Sequence, residues 1–300
     1  MTKSNMTEQT EQIMIQTAAE DPDRLLCVYF MPKSVRLWAC AVLGWRCELL
    51  RTLAQRRSEQ IAGSMAAYVR LQWWREVLEG TRLPEHPLAP LLLKAIEQGR
   101  LSAATLCQQI SSIEAEIENV HDNGNHNDKN EASFNNADKT RWVTMLRYGA
   151  GAFQRSMGEL LGLNSYKEAD YALLQRLEAV GMAYAAGAMI RHFPHLKQQG
   201  RYLYPGTLEN LRQEAQQWLA IADMAHLPRY VRVAALPAIF AKKDLVRGTQ
   251  HAGKARGLGD KWAVICAGIQ CQIQNSKYKI PETKSQKQNP RNKIPKTKSM

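Results

Sequence analysis

The side chains of this chain that could do chemistry are seldom spaced so that they could do it together. His192 and His195 lie three residues apart, the spacing of one helical face and the opening of a zinc site. Pro194 stands between them and no third ligand follows nearby, which argues against a metal there. His121 and His126 fall in an Asn- and Asp-rich stretch that offers no rigid frame for ligands. The six cysteines (Cys27, Cys40, Cys47, Cys107, Cys266, Cys271) form no CxxC pair and mostly sit among apolar residues. That is the usage of buried, reduced thiols in a cytosolic type of protein. Arg75 has Glu79 one helical turn ahead, the spacing of an exposed ion pair. Trp73 and Trp74, as helical neighbours, point about 100° apart, so at most one can face a given cavity. Trp74 shares its side with Leu71 and Leu78 and reads as core.

These groups must be carried by helices. Asp21-Pro22 is a helix start, Asp as N-cap and Pro in the first helical position. Tyr68, Leu71, Trp74 and Leu78 follow one another at spacings of three and four, one face of an amphipathic helix. Pro84, Pro87 and Pro90 interrupt before helical periodicity returns at Leu91. It returns again over 141–162, where Gly149, Ala150, Gly151 and Ala152 would let two helices approach closely, and over about 170–191, 208–224, 229–247 and 260–270. Pro194 is expected to end the fifth of these stretches. No segment alternates as a strand does. The chain therefore divides into a polar leader (1–20), one all-α domain (21–271) with an Asn-rich loop at 119–139, and a basic disordered tail (272–300). The tail repeats itself once, Lys279–Ser285 against Lys293–Ser299, which is low complexity rather than architecture.

The formal net charge of +12 is unevenly placed: from Gln272 onward eight Lys/Arg face one Glu. The start of the sequence has no apolar run of the signal-peptide kind, and no stretch approaches the roughly 18 apolar residues of a membrane span. A soluble protein is expected, cytoplasmic or at most peripheral to the inner membrane. No helix-turn-helix, zinc-finger or aromatic-basic motif points to nucleic acid.

Three segments carry a resemblance: Arg36–Gln55 (RLWACAVLGWRCELLRTLAQ), Tyr68–Leu78 (YVRLQWWREVL), and Gly181–Arg191 (GMAYAAGAMIR) running on to Gly200-Arg201-Tyr202-Leu203-Tyr204-Pro205. In this order and at these distances they resemble the squalene/phytoene synthase family of head-to-head prenyl transferases, over about residues 21–250. The RLQWWRE string is similar to one bacterial and mitochondrial branch, and the last string to the family's G-R-x-Y-L-P turn. The resemblance implies an all-α, isoprenoid-synthase-type helical bundle around a central cavity. Active members display two DxxxD motifs on facing helices. Carboxylates four residues apart share a face, hold Mg²⁺, and through it a diphosphate. Trp45 and Glu48 match the aromatic and acidic positions ahead of the first motif. The motif positions themselves hold Leu50 and Ala54, then His192 and Leu196. None of these replaces paired carboxylates for a hard, oxygen-seeking cation.

No catalytic residue and no resident metal are therefore expected. By resemblance, Arg70, Arg75, Arg191 and Arg201 are the candidate diphosphate or anion contacts. Trp45, Glu48, Trp74 and Tyr184 are candidates for lining the cavity, with core packing the competing role for Trp74 and Tyr184. The branch that includes the mitochondrial complex I assembly factor with a phytoene-synthase-like fold shows the same losses. The expectation is a non-catalytic helper of that type, with respiratory-complex or membrane partners, or a protein binding a lipid or isoprenoid. The alternative is an active prenyl transferase using Mg²⁺ on substitute acids such as Glu48, Glu76 or Glu79.

Overall fold

A computed structural model describes residues 12, 16, 20–55, 62–124, 136–201 and 203–275, the side chains at 54–55, 62–64, 120–124 and 275 excepted. Every regular element among them is helical. The chain enters through α1 (Pro22–Tyr29), where the Asp21 carboxylate accepts the Arg24 N–H at 3.0 Å and Pro22 occupies a position that needs no donor. There follow α2 (Lys33–Gln55), α3 (Ala62–Leu78), α4 (Ala89–Glu97), α5 (Ala103–Gly124) and α6 (Asn136–Leu146). A π-helical turn (Arg147–Gly151) joins α6 to α7 (Ala152–Leu160). Then come α8 (Glu168–Gln198), α9 (Leu208–Ala222), α10 (Pro237–Arg247) and α11 (Leu258–Asn275).

The longest helix, α8, is the axis of the bundle. It packs against α7, the π turn, α9 and α10. Leu174, Leu177, Val180, Ala183 and Ile190 bury the side it presents. Gly181 lets the π turn come closer than any side chain would: a Cβ there would lie 2.8 Å from the Ala150 carbonyl carbon. The small residues at 149–152 thus do bring two segments together. On the other flank α2 buries Val35, Val42, Trp45 and Leu49 against α3, α4, α5 and α7.

Three boundaries differ from the sequence reading. Helix α5 runs through residues assigned to the Asn-rich loop, ending at Gly124, and α6 begins within the same stretch at Asn136; 125–135, with His126, lie outside the described residues. Helix α11 continues to Asn275, and the tail beyond it lies outside the described residues. The third concerns Pro194, which does not stop α8. Proline costs its own N–H bond and crowds the carbonyl four residues before it. The acceptor left without its helical donor is the Ile190 carbonyl, and α8 is held across it by its packing on α9 and α10. The Arg191 carbonyl accepts the Gly253 N–H at 2.7 Å. The helix then closes in a left-handed Gly200 (φ +56°), with Gly200 N–H to the Lys197 carbonyl and Arg201 N–H to the Leu196 carbonyl. That closure fixes where Arg201 points.

Candidate functional site

The two stretches that would bear metal-binding carboxylates lie on α2 and at the end of α8. Leu50 is half-buried and packs on the core, and Ala54 follows one turn later. His192 is exposed and Leu196 half-buried. None of the four supplies an oxygen ligand. Among the described residues no group of three or more His, Cys, Asp or Glu is placed to share an ion. The proposed substitutes do not assemble either: Glu48 is engaged by Arg51, Glu76 by Gln72 and Arg82 on an exposed face, and Glu79 is exposed just past the end of α3. The residues present do not fit Mg²⁺.

The structure distributes the four arginines to separate partners. Arg70 is exposed on α3. Arg75 reaches across to Glu114 of α5 at 2.7 Å, rather than along its own helix to Glu79. Arg201 forms a two-pronged ion pair with the buried Glu116, its Nη2 at 3.0 Å from Oε2. Arg191 is 4% exposed and binds Asp244 Oδ1 at 3.0 Å. Asp244 accepts again from Arg256, at 2.8 and 2.6 Å, and Arg256 also pairs with Asp23 in the first turn of α1. Four charges from four parts of the chain thus close into one buried network. Its carboxylates hold the Arg256 guanidinium above its ordinary pKa, outweighing the burial that pushes the other way.

The aromatic candidates are interior. Trp45 is fully buried and meets Trp74 edge-to-face at 6.0 Å, and Trp74 meets His86 at 5.0 Å. Tyr184 lies under the Arg24 guanidinium at 4.5 Å and beside Phe240. What space remains beside Arg24 is a cavity of about 10 Å³ lined by Cys27, Phe153, Gln154 and Pro237 among others, room for no more than a water.

One functional candidate escaped the sequence reading. Arg46 stands one turn before Leu50 on α2, with its guanidinium 5.7 Å from the Phe153 ring, the ring that Arg24 also covers. Its Nε is sealed from solvent without a hydrogen-bond partner, and among the described residues no carboxylate pairs with it. Burial, then the repulsion of Arg24 and of Arg201, outweigh the attraction of Asp21 and Cys47 and lower its pKa to about 9. The signal was visible in principle, since a cation at that position reverses the charge expected of the face. Its lack of a partner was not.

The sequence matches the Squalene/phytoene synthase family over residues 17–217, two thirds of the chain. The chain belongs to that family. A crystal structure of a dehydrosqualene synthase in complex with ligand shares the fold: 92% of this chain and 99% of that one superimpose with a TM-score of 0.64, at 14% identity. The bundle is therefore the all-α isoprenoid-synthase fold. A comparison with curated protein sequences returned no match. Against the family's pattern, this member keeps the frame of α2 and α8 while its interior carboxylates are neutralised by arginines.

Proposed function

We propose that this protein is a non-catalytic member of the squalene/phytoene synthase family, a helper in assembling or maintaining a membrane-bound respiratory complex rather than a prenyl transferase. One observation carries the reading. Where active members present acids to a metal–diphosphate, α2 presents Leu50 with Arg46 a turn before it, and α8 presents His192 and Leu196. Ionising an allylic diphosphate needs the leaving group's charge to be stabilised. The test is purified protein with Mg²⁺ and farnesyl or geranylgeranyl diphosphate. Diphosphate release is expected to stay at the level without protein. Release that chelation abolishes would overturn the reading.

Arg46 favours a second reading, in which the same place binds a phosphate-bearing lipid or isoprenoid directly, without metal. An unpaired, partly buried guanidinium costs stability and is retained where function uses it. Arg46→Met is expected to stabilise the protein by about 1–2 kcal/mol, a modest figure because the side chain is partly exposed. The sign follows from its lowered pKa. Folding disfavours the charged form, so the cost is present in full below pH 9 and fades as pH rises toward the ordinary arginine range. Inorganic diphosphate in the presence of a chelator should raise the melting temperature of the wild type and leave that of Arg46→Met unmoved. Equal shifts in both would remove Arg46 from the site.

A further inference from the structure

Helix α11 is apolar on two sides, and among the described residues only one of them is covered. Val264, Gly268 and Cys271 face the body, and Gly268 seats the Phe30 ring so closely that a Cβ would lie 2.6 Å from its Cδ1. The opposite side carries Leu258, Trp262, Ile269 and Ile273, which are 85, 65, 46 and 66% exposed, at spacings that form one stripe. A helix apolar all round is ordinarily buried all round, and a contiguous exposed apolar stripe marks an interaction surface.

Charge identifies what covers it. From Lys242 to Met300 the sequence has fourteen Lys/Arg and three Asp/Glu, +11 of the chain's +12. Two of those three acids are buried in ion pairs: Asp244 with Arg191 and Arg256, and Asp260 with Arg247 and Lys243. Asp260 is also the one acidic residue of α11, so the outward stripe carries no negative charge. A second copy of the chain would bring together two chains whose sequence is strongly cationic over this stretch. Nucleic acid would leave an aliphatic stripe with no hydrogen bonds to offer and one exposed indole to stack. An anionic lipid surface satisfies both features, because it takes apolar side chains below its headgroups and attracts basic residues around them. No helix among the described residues is long and apolar enough to cross a membrane.

We propose that the outward face of α11 docks this protein on an anionic bilayer surface, with Trp262 and the isoleucines entering the boundary between headgroups and acyl chains. This goes beyond the reading of the interior and does not depend on what, if anything, binds there. Trp262 sits where an indole is most useful, at a water–lipid boundary.

The experiment uses the full chain and vesicles of phosphatidylcholine, alone or with phosphatidylglycerol, in co-sedimentation at low and high salt. Binding is expected on the anionic vesicles, weak on the neutral ones, and reduced by salt. The double substitution Trp262→Ser with Ile273→Ser removes exposed side chains only, and unchanged circular dichroism would show that the fold survives. It should weaken binding to anionic vesicles roughly tenfold or more. Trp262→Phe should still bind, but should lose much of the fluorescence quenching that brominated acyl chains produce in the wild type. Three results would overturn the proposal: undiminished binding by the double variant, equal binding to neutral vesicles, or a wild-type dimer in solution that the double variant converts to monomer.

Discussion

Replacing Asp244 with Ala is expected to cost about 3–5 kcal/mol of folding stability, the scale for removing one partner of a buried ion network. The carboxylate is almost inaccessible, and its two oxygens accept three hydrogen bonds, one from Arg191 at 3.0 Å and two from Arg256 at 2.8 and 2.6 Å. Without it, among the described residues Arg191 would have no ion-pair partner and Arg256 would keep only Asp23. The penalty comes from those stranded guanidiniums, not from the intrinsic worth of the pair. That distinction is testable. A triple substitution, Asp244→Leu with Arg191→Met and Arg256→Met, should recover most of the loss, because packed apolar groups of similar volume can replace a buried ion network at little cost. Urea unfolding followed by circular dichroism measures all three proteins. A loss under about 1 kcal/mol for Asp244→Ala would mean that the arginines reach water more easily than their burial implies. The consequence reaches beyond stability. Arg256 lies in the segment leading into α11 and ties it to Asp23 in the first turn of α1, 233 residues away, so loosening this network should also weaken the seating of the helix proposed to meet lipid.

The same network marks the limit of what could be read from sequence. Resemblance singled out Arg191 as a candidate anion contact, and helical period says at most which side of α8 faces inward. It does not state what a side chain meets there, and the partner of Arg191 is 53 residues on, in another helix. Arg75 shows the same limit at shorter range. Glu79 is one turn away in sequence, but Glu114 is nearer in space because α3 and α5 pack side by side. Local signals fared better where the physics is local. Asp21-Pro22 opened α1 as its capping chemistry requires. Pro194 misled because a helix-breaking rule states a local cost and knows nothing of the packing of α8 on α9 and α10 that outweighs it. Gly149–Gly151 was legible as a place of close approach, yet not as a π turn, since a single extra residue in a turn leaves no trace in periodicity.

That close approach carries the second large effect. Gly181→Ala should destabilise the protein by roughly 1–3 kcal/mol, although Ala is the better helix former by up to about 1 kcal/mol. The contest is between propensity and sterics, and sterics should win because of what the new methyl meets. It would lie 2.8 Å from both the Ala150 carbonyl carbon and the Gln154 Cβ, and nearer still to the Ala150 carbonyl oxygen. A side-chain tip could rotate away, but a backbone carbonyl moves only with its helix. Relief therefore requires α8 and the π turn to separate, opening the packed seam around Val180 and Met182. Gly259→Ala in α11 is the matching control. A Cβ there meets nothing within 4 Å, so the same change should stabilise by up to about 1 kcal/mol. Opposite signs for one chemical change at two helical glycines would separate close packing from propensity. Two shifts of the same sign would mean that the seam between α8 and the π turn yields more easily than a backbone contact should. The glycine-lined turn beside Arg46, where Gly149 sits 3.9 Å from Nη1 when given a Cβ, would then be soft enough to reshape around a ligand.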